Sequence, residues 1–85
     1  MTFEVDNKQY EIIVASDVER DGLGIELWDH GSDLMLMEIF RHDKKKKITF
    51  HSGNFDAPFE VVEKLIQDFE ERVGRQFQED YLDDG

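Results

Sequence analysis

The sequence predicts an α+β fold, an antiparallel β-meander of four or five strands with one C-terminal α-helix packed on one face. Apolar residues alternate with polar ones between residues 2 and 51, which is the period of a half-buried strand. After residue 57 they recur at spacings of three and four, the period of an amphipathic helix. The stretch SGNFDAP separates the two patterns. We therefore expect a single domain over residues 1–85, with strands within about 2–51 and a helix at about 57–73.

The first two strands are predicted to form a hairpin. TFEV and QYEIIVAS both alternate, and the polar stretch DNKQ between them marks a turn. Matching the apolar faces places Val5 opposite Tyr10 and Phe3 opposite Ile12. The polar connection DVERDG then leads to the next pair of strands.

LGIELWD and DLMLMEIFRH form the second predicted hairpin, with HGS as its turn. Placing Leu27 opposite Met35 and Ile25 opposite Met37 brings the large apolar side chains to one side of the sheet. A slip of one residue would bury the polar set instead, so this match defines the expected register.

KITFHS is predicted as the last strand of the meander. Pairing His42 with Lys47 places Ile39 opposite Phe50 and leaves residues 43–46 as the turn. The tip of this third hairpin is a basic cluster, Lys44, Lys45 and Lys46.

The lysine cluster is predicted to be a solvated turn rather than a nucleic-acid contact. The chain has a formal net charge of −11, and the predicted helix is acidic, so the rest of the molecule repels phosphate. Lysines that repel one another are most stable where water surrounds them all. A remaining role is electrostatic contact with an acidic partner or with the acidic helix of a second copy.

The predicted helix has signals at both ends. Asp56 is expected to accept hydrogen bonds from the first turn as N-cap, with Pro58 inside that turn. Gly74 is expected just past the last turn, in left-handed conformation. The tail, residues 75–85, is acidic and expected to be frayed. The expected buried stripe consists of Phe59, Val62, Leu65, Ile66, Phe69 and Val73.

The helix can cover only one face of the sheet, so the other face lacks an obvious cover. The expected inner face consists of Phe3, Val5, Tyr10, Ile12, Val14, Leu23, Ile25, Leu27, Met35, Met37, Ile39, Ile48 and Phe50. The expected outer face carries Ile13, Trp28, Leu34, Leu36 and Phe40, together with Glu11, Glu26, Glu38, Thr49 and His51. A patch of large apolar groups beside carboxylates is typical of a binding surface.

These observations predict a small, acidic, non-enzymatic protein-interaction domain that binds a protein partner, or itself as a homodimer, through the outer sheet face. The competing interpretation is that the tail covers this face through Phe77, Tyr81 and Leu82, or that the sheet coils and buries it. The residues expected to bind the partner are Trp28, Leu36, Glu38, Phe40, His51 and Glu26.

Glu38 falls opposite His51 in the predicted register, which would allow either an ordinary cross-strand ion pair or an acid–base dyad. The ion pair is favoured, because a dyad also needs a pocket to position a substrate. The chain has no cysteine, no phosphate-binding glycine loop and no metal-ligand spacing, so no cofactor is expected.

The alternative function is acidic mimicry of nucleic acid. Carboxylates on the helix and tail would occupy the basic site of a nuclease, a toxin or a DNA-binding protein. This layout is similar to that of some toxin-neutralising immunity proteins and of small bacterial proteins. The absence of a signal-peptide pattern and of a long apolar run favours the cytoplasm and excludes a membrane partner. The mimicking carboxylates would be Glu70, Glu71, Asp80 and Asp83.

Overall fold

The computed structural model describes residues 1–78 and confirms the five-stranded antiparallel meander with one helix. The sheet has the order β1-β2-β3-β4-β5, so each strand pairs with its neighbour in the chain. Tail residues with predicted roles, Asp80, Tyr81, Leu82 and Asp83, lie outside the described residues. The elements are β1 (Thr2–Val5), β2 (Lys8–Asp17), β3 (Gly22–Asp29), β4 (Met35–His42), β5 (Lys47–Ser52) and α1 (Phe59–Arg72).

The β1–β2 hairpin turns more tightly than predicted. Phe3 lies opposite Tyr10, and Val5 lies opposite Lys8, so the predicted register is wrong by two residues. Asp6 and Asn7 have φ of 54° and 65°, the left-handed pair that a two-residue turn requires. Because the shift is an even number of residues, the apolar side chains keep their face.

The β3–β4 register is also wrong by two residues over most of its length, since Ile25 lies opposite Ile39 and Leu27 opposite Met37. The register then shifts between Leu27 and Trp28, as at a β-bulge, and Leu36 is the extra residue. Leu36 is buried in the core cluster instead of lying on the outer face, so its predicted position is wrong.

The β4–β5 hairpin confirms its predicted register. His42 lies opposite Lys47, Ile39 opposite Phe50, and residues 43–46 form the turn. The apolar match and the turn length agree here, with no bulge between the strands. Lys46 closes the turn in left-handed conformation, with φ of 56°.

The helix begins at Phe59, and Pro58 occupies the N-cap position without a side-chain hydrogen bond. The prediction of Asp56 as N-cap is therefore wrong. Gly74 follows the helix with φ of 88°, which confirms the predicted C-terminal glycine. Val73 and Gly74 both donate backbone hydrogen bonds to the carbonyl of Phe69.

The buried side of the helix is narrower than predicted. Val61, Leu65 and Phe69 join the core, whereas Phe59 is 73% and Ile66 is 41% exposed. The helix packs mainly across the central strand β3, so only one line of its side chains meets the sheet. The predictions of Phe59 and Ile66 as core residues are therefore wrong. The core consists of Tyr10, Ile12, Ile25, Leu27, Leu36, Met37, Ile39, Val61, Leu65 and Phe69.

A buried arginine ties the end of the helix to the sheet. The Nη1 atom of Arg41 donates to the carbonyl oxygens of Val73 and Gly74, at 2.7 and 3.1 Å. Its Nε and Nη2 atoms donate to the carboxylate of Asp43, at 2.7 and 3.3 Å. The same carboxylate accepts from the backbone N–H of Gln78. A cation at a helix C-terminus is favourable, and these contacts hold the helix end beside β4.

Candidate functional site

The outer face of the sheet is covered at its centre by the β2–β3 connection. Phe40 is only 1% exposed. Its ring lies across Gly24, where a Cβ atom would come within 2.6 Å of Phe40 Cδ1. The guanidinium carbon of Arg20 lies 3.9 Å from the ring centroid. Phe40, predicted as an exposed partner contact, is therefore buried between a glycine and an arginine.

Arg20 also holds the carboxylate of Glu38. Its Nη1 and Nη2 atoms donate to the two oxygens of Glu38 at 3.0 and 2.8 Å, and its Nε atom donates to Asp17 Oδ2 at 2.7 Å. The hydrogen bonds to Glu38, and then those to Asp17, raise the pKa of Arg20 above its usual value. The side-chain hydrogen bond from Arg20 lowers the pKa of Asp17. Glu38 is consequently buried, and both of its carboxylate oxygens already accept hydrogen bonds from Arg20.

The sequence analysis treats DVERDG only as a polar connection and misses the role of Arg20. A signal was present in Gly22 and Gly24, two glycines inside a strand. Such glycines indicate a close approach of other groups to the backbone. Arg20 lies two residues before Gly22 and four before Gly24, and its side chain is long enough to cover the group that packs against these glycines.

The register that places Glu38 opposite His51 is confirmed. Both oxygens of Glu38 nevertheless accept from Arg20, and His51 is exposed. Within residues 1–78, no ion pair joins Glu38 to His51. The arrangement does not form an acid–base dyad, and the predicted cross-strand ion pair is wrong.

Only a few side chains of the predicted partner-binding set remain accessible on the outer face. The indole N–H of Trp28 donates to Glu26 Oε1 at 2.9 Å, and the residue is half-buried. Glu26 lies directly opposite Glu38 across the β3–β4 pair, so two carboxylates share this part of the face. Trp28 and Arg20 each supply one of them with a donor, which lowers the repulsion. Trp28, Glu26 and His51 are the predicted contacts that a partner could still reach.

A larger apolar surface lies on the other side of the sheet, along its β5 edge. Phe50 and Ile48 of β5 point to the inner face but are 55% and 37% exposed. On the helix, Val62, Ile66 and the exposed Phe59 form a stripe beside the buried line. We call the set of Ile48, Phe50, Phe59, Val62 and Ile66 the helix–β5 surface.

The direction of the helix brings this stripe to the β5 side. The chain leaves β5 at Gly53, whose N–H donates to the carbonyl of Leu36 near the start of β4. The helix ends where Arg41, near the other end of β4, donates to the carbonyl of Val73, so the helix runs in the direction of β4. Ile12 faces the inner side and directs its backbone groups toward β1, which shows on which side of the helix β1 lies and on which side β5 lies. In a right-handed helix that runs in this direction, the stripe then points toward β4 and β5. The exposed apolar side chains of the helix and of β5 therefore lie on the same face of the sheet, toward its β5 edge.

β5 is an edge strand, and within residues 1–78 no further strand pairs with its outer side. The hydrogen bond from Gly53 N–H to Leu36 shows which residues of β5 face β4, since backbone groups alternate along an antiparallel ladder. The backbone N–H and C=O groups of Thr49 and His51 point toward β4. Ile48, Phe50 and Ser52 therefore direct their N–H and C=O groups away from the sheet.

The charges around the helix–β5 surface are unequal at its two ends. The exposed Lys44 and Lys45 lie in the turn before β5, and the exposed Asp56 and Glu60 follow it in the chain. The exposed Glu70 and Glu71 lie on the outer side of the helix, where Glu70 Oε2 accepts from Arg75 Nε at 2.8 Å. The exposed lysines thus lie at the start of β5, whereas the exposed carboxylates lie after β5 and on the helix.

His42 is buried on the outer face, where its Nε2 atom lies 2.9 Å from Thr49 Oγ1 and its ring meets the edge of Phe40. Burial, followed by the charge of Lys47, lowers the pKa of His42 below its usual value of 6.5. The imidazole is therefore mainly neutral at pH 7 and acts as packing beside Phe40.

Asp68 is a buried carboxylate in the helix whose Oδ2 atom has no hydrogen-bond partner among residues 1–78. Lys64 Nζ lies 3.6 Å from the other oxygen. Sequence reasoning placed the apolar stripe around Asp68 without predicting that the acid itself is buried. A single orphan oxygen does not by itself make a site.

The described part of the chain does not bring metal-ligating side chains together. Residues 1–78 contain no group of three or more metal-ligating side chains. A cleft of about 590 Å³ lies at the end of the helix, lined by Arg41 and residues 73–78. The guanidinium there already donates to Asp43 and to two carbonyl oxygens. No helix within residues 1–78 is long and apolar enough to cross a membrane.

Comparisons of this chain with protein-family models, with curated proteins and with solved structures found no match. The geometry and chemistry of the described residues are therefore the basis for any functional assignment.

Proposed function

We propose that this chain is a non-enzymatic protein-interaction domain that binds an extended protein segment along the open edge of β5. The observation that carries the proposal is the helix–β5 surface, which exposes Phe50, Ile48 and Ile66 beside a strand edge that no other strand of residues 1–78 covers. Exposed apolar side chains next to an edge strand favour strand addition.

In strand addition, backbone hydrogen bonds provide most of the affinity, and side-chain packing provides the specificity. The outward N–H and C=O groups of Ile48, Phe50 and Ser52 would pair with the backbone of the added strand. Alternate side chains of that strand would pack against Phe50 and against the helix stripe at Ile66. The partner segment is therefore expected to alternate apolar and polar residues.

The outer sheet face supports the interaction less well than the sequence predicted. Phe40 and Glu38 are covered by Arg20, and Leu36 belongs to the core. A partner that used this face would meet mainly Trp28, Glu26 and His51. We therefore propose the outer face only as a secondary contact.

Selection from a displayed library of random extended peptides tests the main proposal. Peptides that bind the chain should alternate apolar residues and should lose binding to Ile48→Pro, which lacks one outward donor but keeps the ladder to β4. Ile48→Ala is the matched control, because it also loses the side chain but keeps the donor. Selected peptides that bind Ile48→Pro and Phe50→Asp as well as the unmodified chain, but not Trp28→Ala, would overturn this assignment.

The second candidate function is acidic mimicry. A net charge of −11 and the exposed Glu70 and Glu71 favour it. The target would be a basic nuclease, toxin or DNA-binding protein. Binding by mimicry should weaken steeply with added salt and with Glu70→Gln and Glu71→Gln, whereas strand addition should respond mainly to Ile48→Pro. A cytoplasmic setting is part of both proposals and draws on the absence of cysteine. A bacterial setting draws only on the similarity of the layout to that of small bacterial proteins.

A further inference from the structure

We infer that the strand added to β5 is β5 of a second copy of this chain, so that two five-stranded sheets join into one continuous sheet. This inference rests on the proposed function, because it uses the same open edge and the same helix–β5 surface. It adds the identity of the partner and the register of the pairing.

The register follows from which backbone groups point outward. A two-fold axis perpendicular to the sheet pairs β5 with its copy in antiparallel orientation. If Phe50 lies opposite its own copy, the outward groups of Phe50, Ile48 and Ser52 meet one another. Ile48 then pairs with Ser52 of the other copy, and the whole of β5 takes part.

The same axis joins the apolar surfaces. Both helices lie on one side of the joined sheet, since a two-fold axis perpendicular to the sheet does not exchange its faces. The two Phe50 side chains become neighbours on adjacent strands, about 5.5 Å apart at their Cα atoms. Ile66 and Phe59 of each copy flank this apolar floor. Exposed side chains that are unexplained in one copy therefore cover one another in two copies.

Charge complementarity favours the second copy over an unrelated peptide. Lys44 and Lys45 precede β5, whereas Asp56 and Glu60 follow it. Antiparallel pairing of β5 with itself brings the basic end of each copy alongside the acidic end of the other. Each contact then occurs twice, as expected for a two-fold interface.

The other open edge of the sheet does not offer the same match. β1 comprises only four residues, Thr2–Val5, and has no lysine or arginine. Pairing β5 with β1 of another copy would also leave one edge free on each molecule. Such pairing would lead to open chains rather than to a closed pair.

The absence of cysteine from the sequence makes a direct experiment simple. Phe50→Cys should cross-link between copies with a short bismaleimide, because position 50 lies opposite itself in the inferred register. Val18→Cys is the matched control, since Val18 is 91% exposed and lies away from β5. Efficient cross-linking at position 50 and little at position 18 is the expected result.

Light scattering over a range of concentrations measures the same association without a cross-link. Ile48→Pro should raise the dissociation constant at least about 10-fold over Ile48→Ala, and reversal of Lys44 and Lys45 to glutamate should also weaken the pair. A monomer up to millimolar concentration, with equal cross-linking at positions 50 and 18, would overturn the inference. The proposed function fails separately, when selected peptides bind Ile48→Pro as well as the unmodified chain.

Discussion

Removal of the Arg20 side chain should destabilise the whole sheet, although this residue lies in an exposed connection. Arg20→Ala leaves the carboxylate of Glu38 buried without its two charged donors, at 3.0 and 2.8 Å. It also uncovers the ring of Phe40, over which the guanidinium carbon lies at 3.9 Å from the centroid. The substitution thus affects one buried charge and one buried aromatic ring together.

The magnitude follows from these two contacts. Removing one partner of a buried ion pair costs about 3–5 kcal/mol. The side chain of Arg20 is 39% exposed, so water screens the pair and about 2 kcal/mol is a better estimate. The stacking of Arg20 on Phe40 adds about 0.5–1 kcal/mol. We expect the free energy of unfolding to fall by about 2.5 kcal/mol, which lowers the melting temperature of a domain this size by about 10–20 °C.

Urea denaturation followed by the fluorescence of Trp28, the only tryptophan, measures this change. Glu38→Gln and the double variant complete a cycle, in which the coupling between Arg20 and Glu38 should be about 1–2 kcal/mol. Glu70→Gln is the control for loss of a carboxylate on the exposed side of the helix. A loss below about 0.5 kcal/mol for Arg20→Ala would show that Arg20 does not cover the outer face in solution.

Three further substitutions test other parts of the structure. Gly24→Ala places a Cβ atom 2.6 Å from Phe40 Cδ1 and 2.9 Å from the carbonyl oxygen of Ile39, so it should lower the unfolding free energy by about 1–3 kcal/mol; a neutral result in urea would contradict the packing of the ring. Asp68→Leu removes a buried carboxylate with an orphan oxygen and should leave stability unchanged or raise it by about 1 kcal/mol, whereas a clear loss would reveal an unrecognised partner. The pKa of His42 is lowered by folding, so the unfolded chain binds a proton more readily, and stability should fall as pH drops below the usual value of 6.5. His42→Gln should flatten this pH dependence in denaturation curves between about pH 7 and pH 5.

The β4–β5 hairpin shows how far local reasoning reaches. The apolar residues of MEIFRH and KITFHS match in one register, and the four residues between them suit a turn. The first hairpin was misjudged because Asp6 and Asn7 both take left-handed conformations, which shortens the turn. Alternation alone cannot distinguish two registers that differ by two residues, since both bury the same side chains.

The candidate site was predicted less well than the fold. Leu36 was assigned to the outer face by alternation, but the register shift in β3–β4 directs it into the core. The prediction places Phe40 on the correct face. Arg20 covers its ring, however, and Arg20 lies in the β2–β3 connection, where the sequence has no periodic apolar pattern. Burial by a loop depends on where that loop returns in space, and no periodic pattern records this.

The sequence by itself determined the meander, the helix and the side of the sheet on which most apolar residues lie, because those features follow from side-chain periods of two and about 3.6. Only the tertiary structure decided which apolar residues remain exposed. The helix lies across β3 and leaves Phe50 and Ile66 uncovered, while the β2–β3 connection closes over Phe40. The physical reason is that exposure depends on the relative placement of elements. One helix is too narrow to cover the inner face of a five-stranded sheet. The packing of the helix against the sheet alone determines which strands of that face stay uncovered.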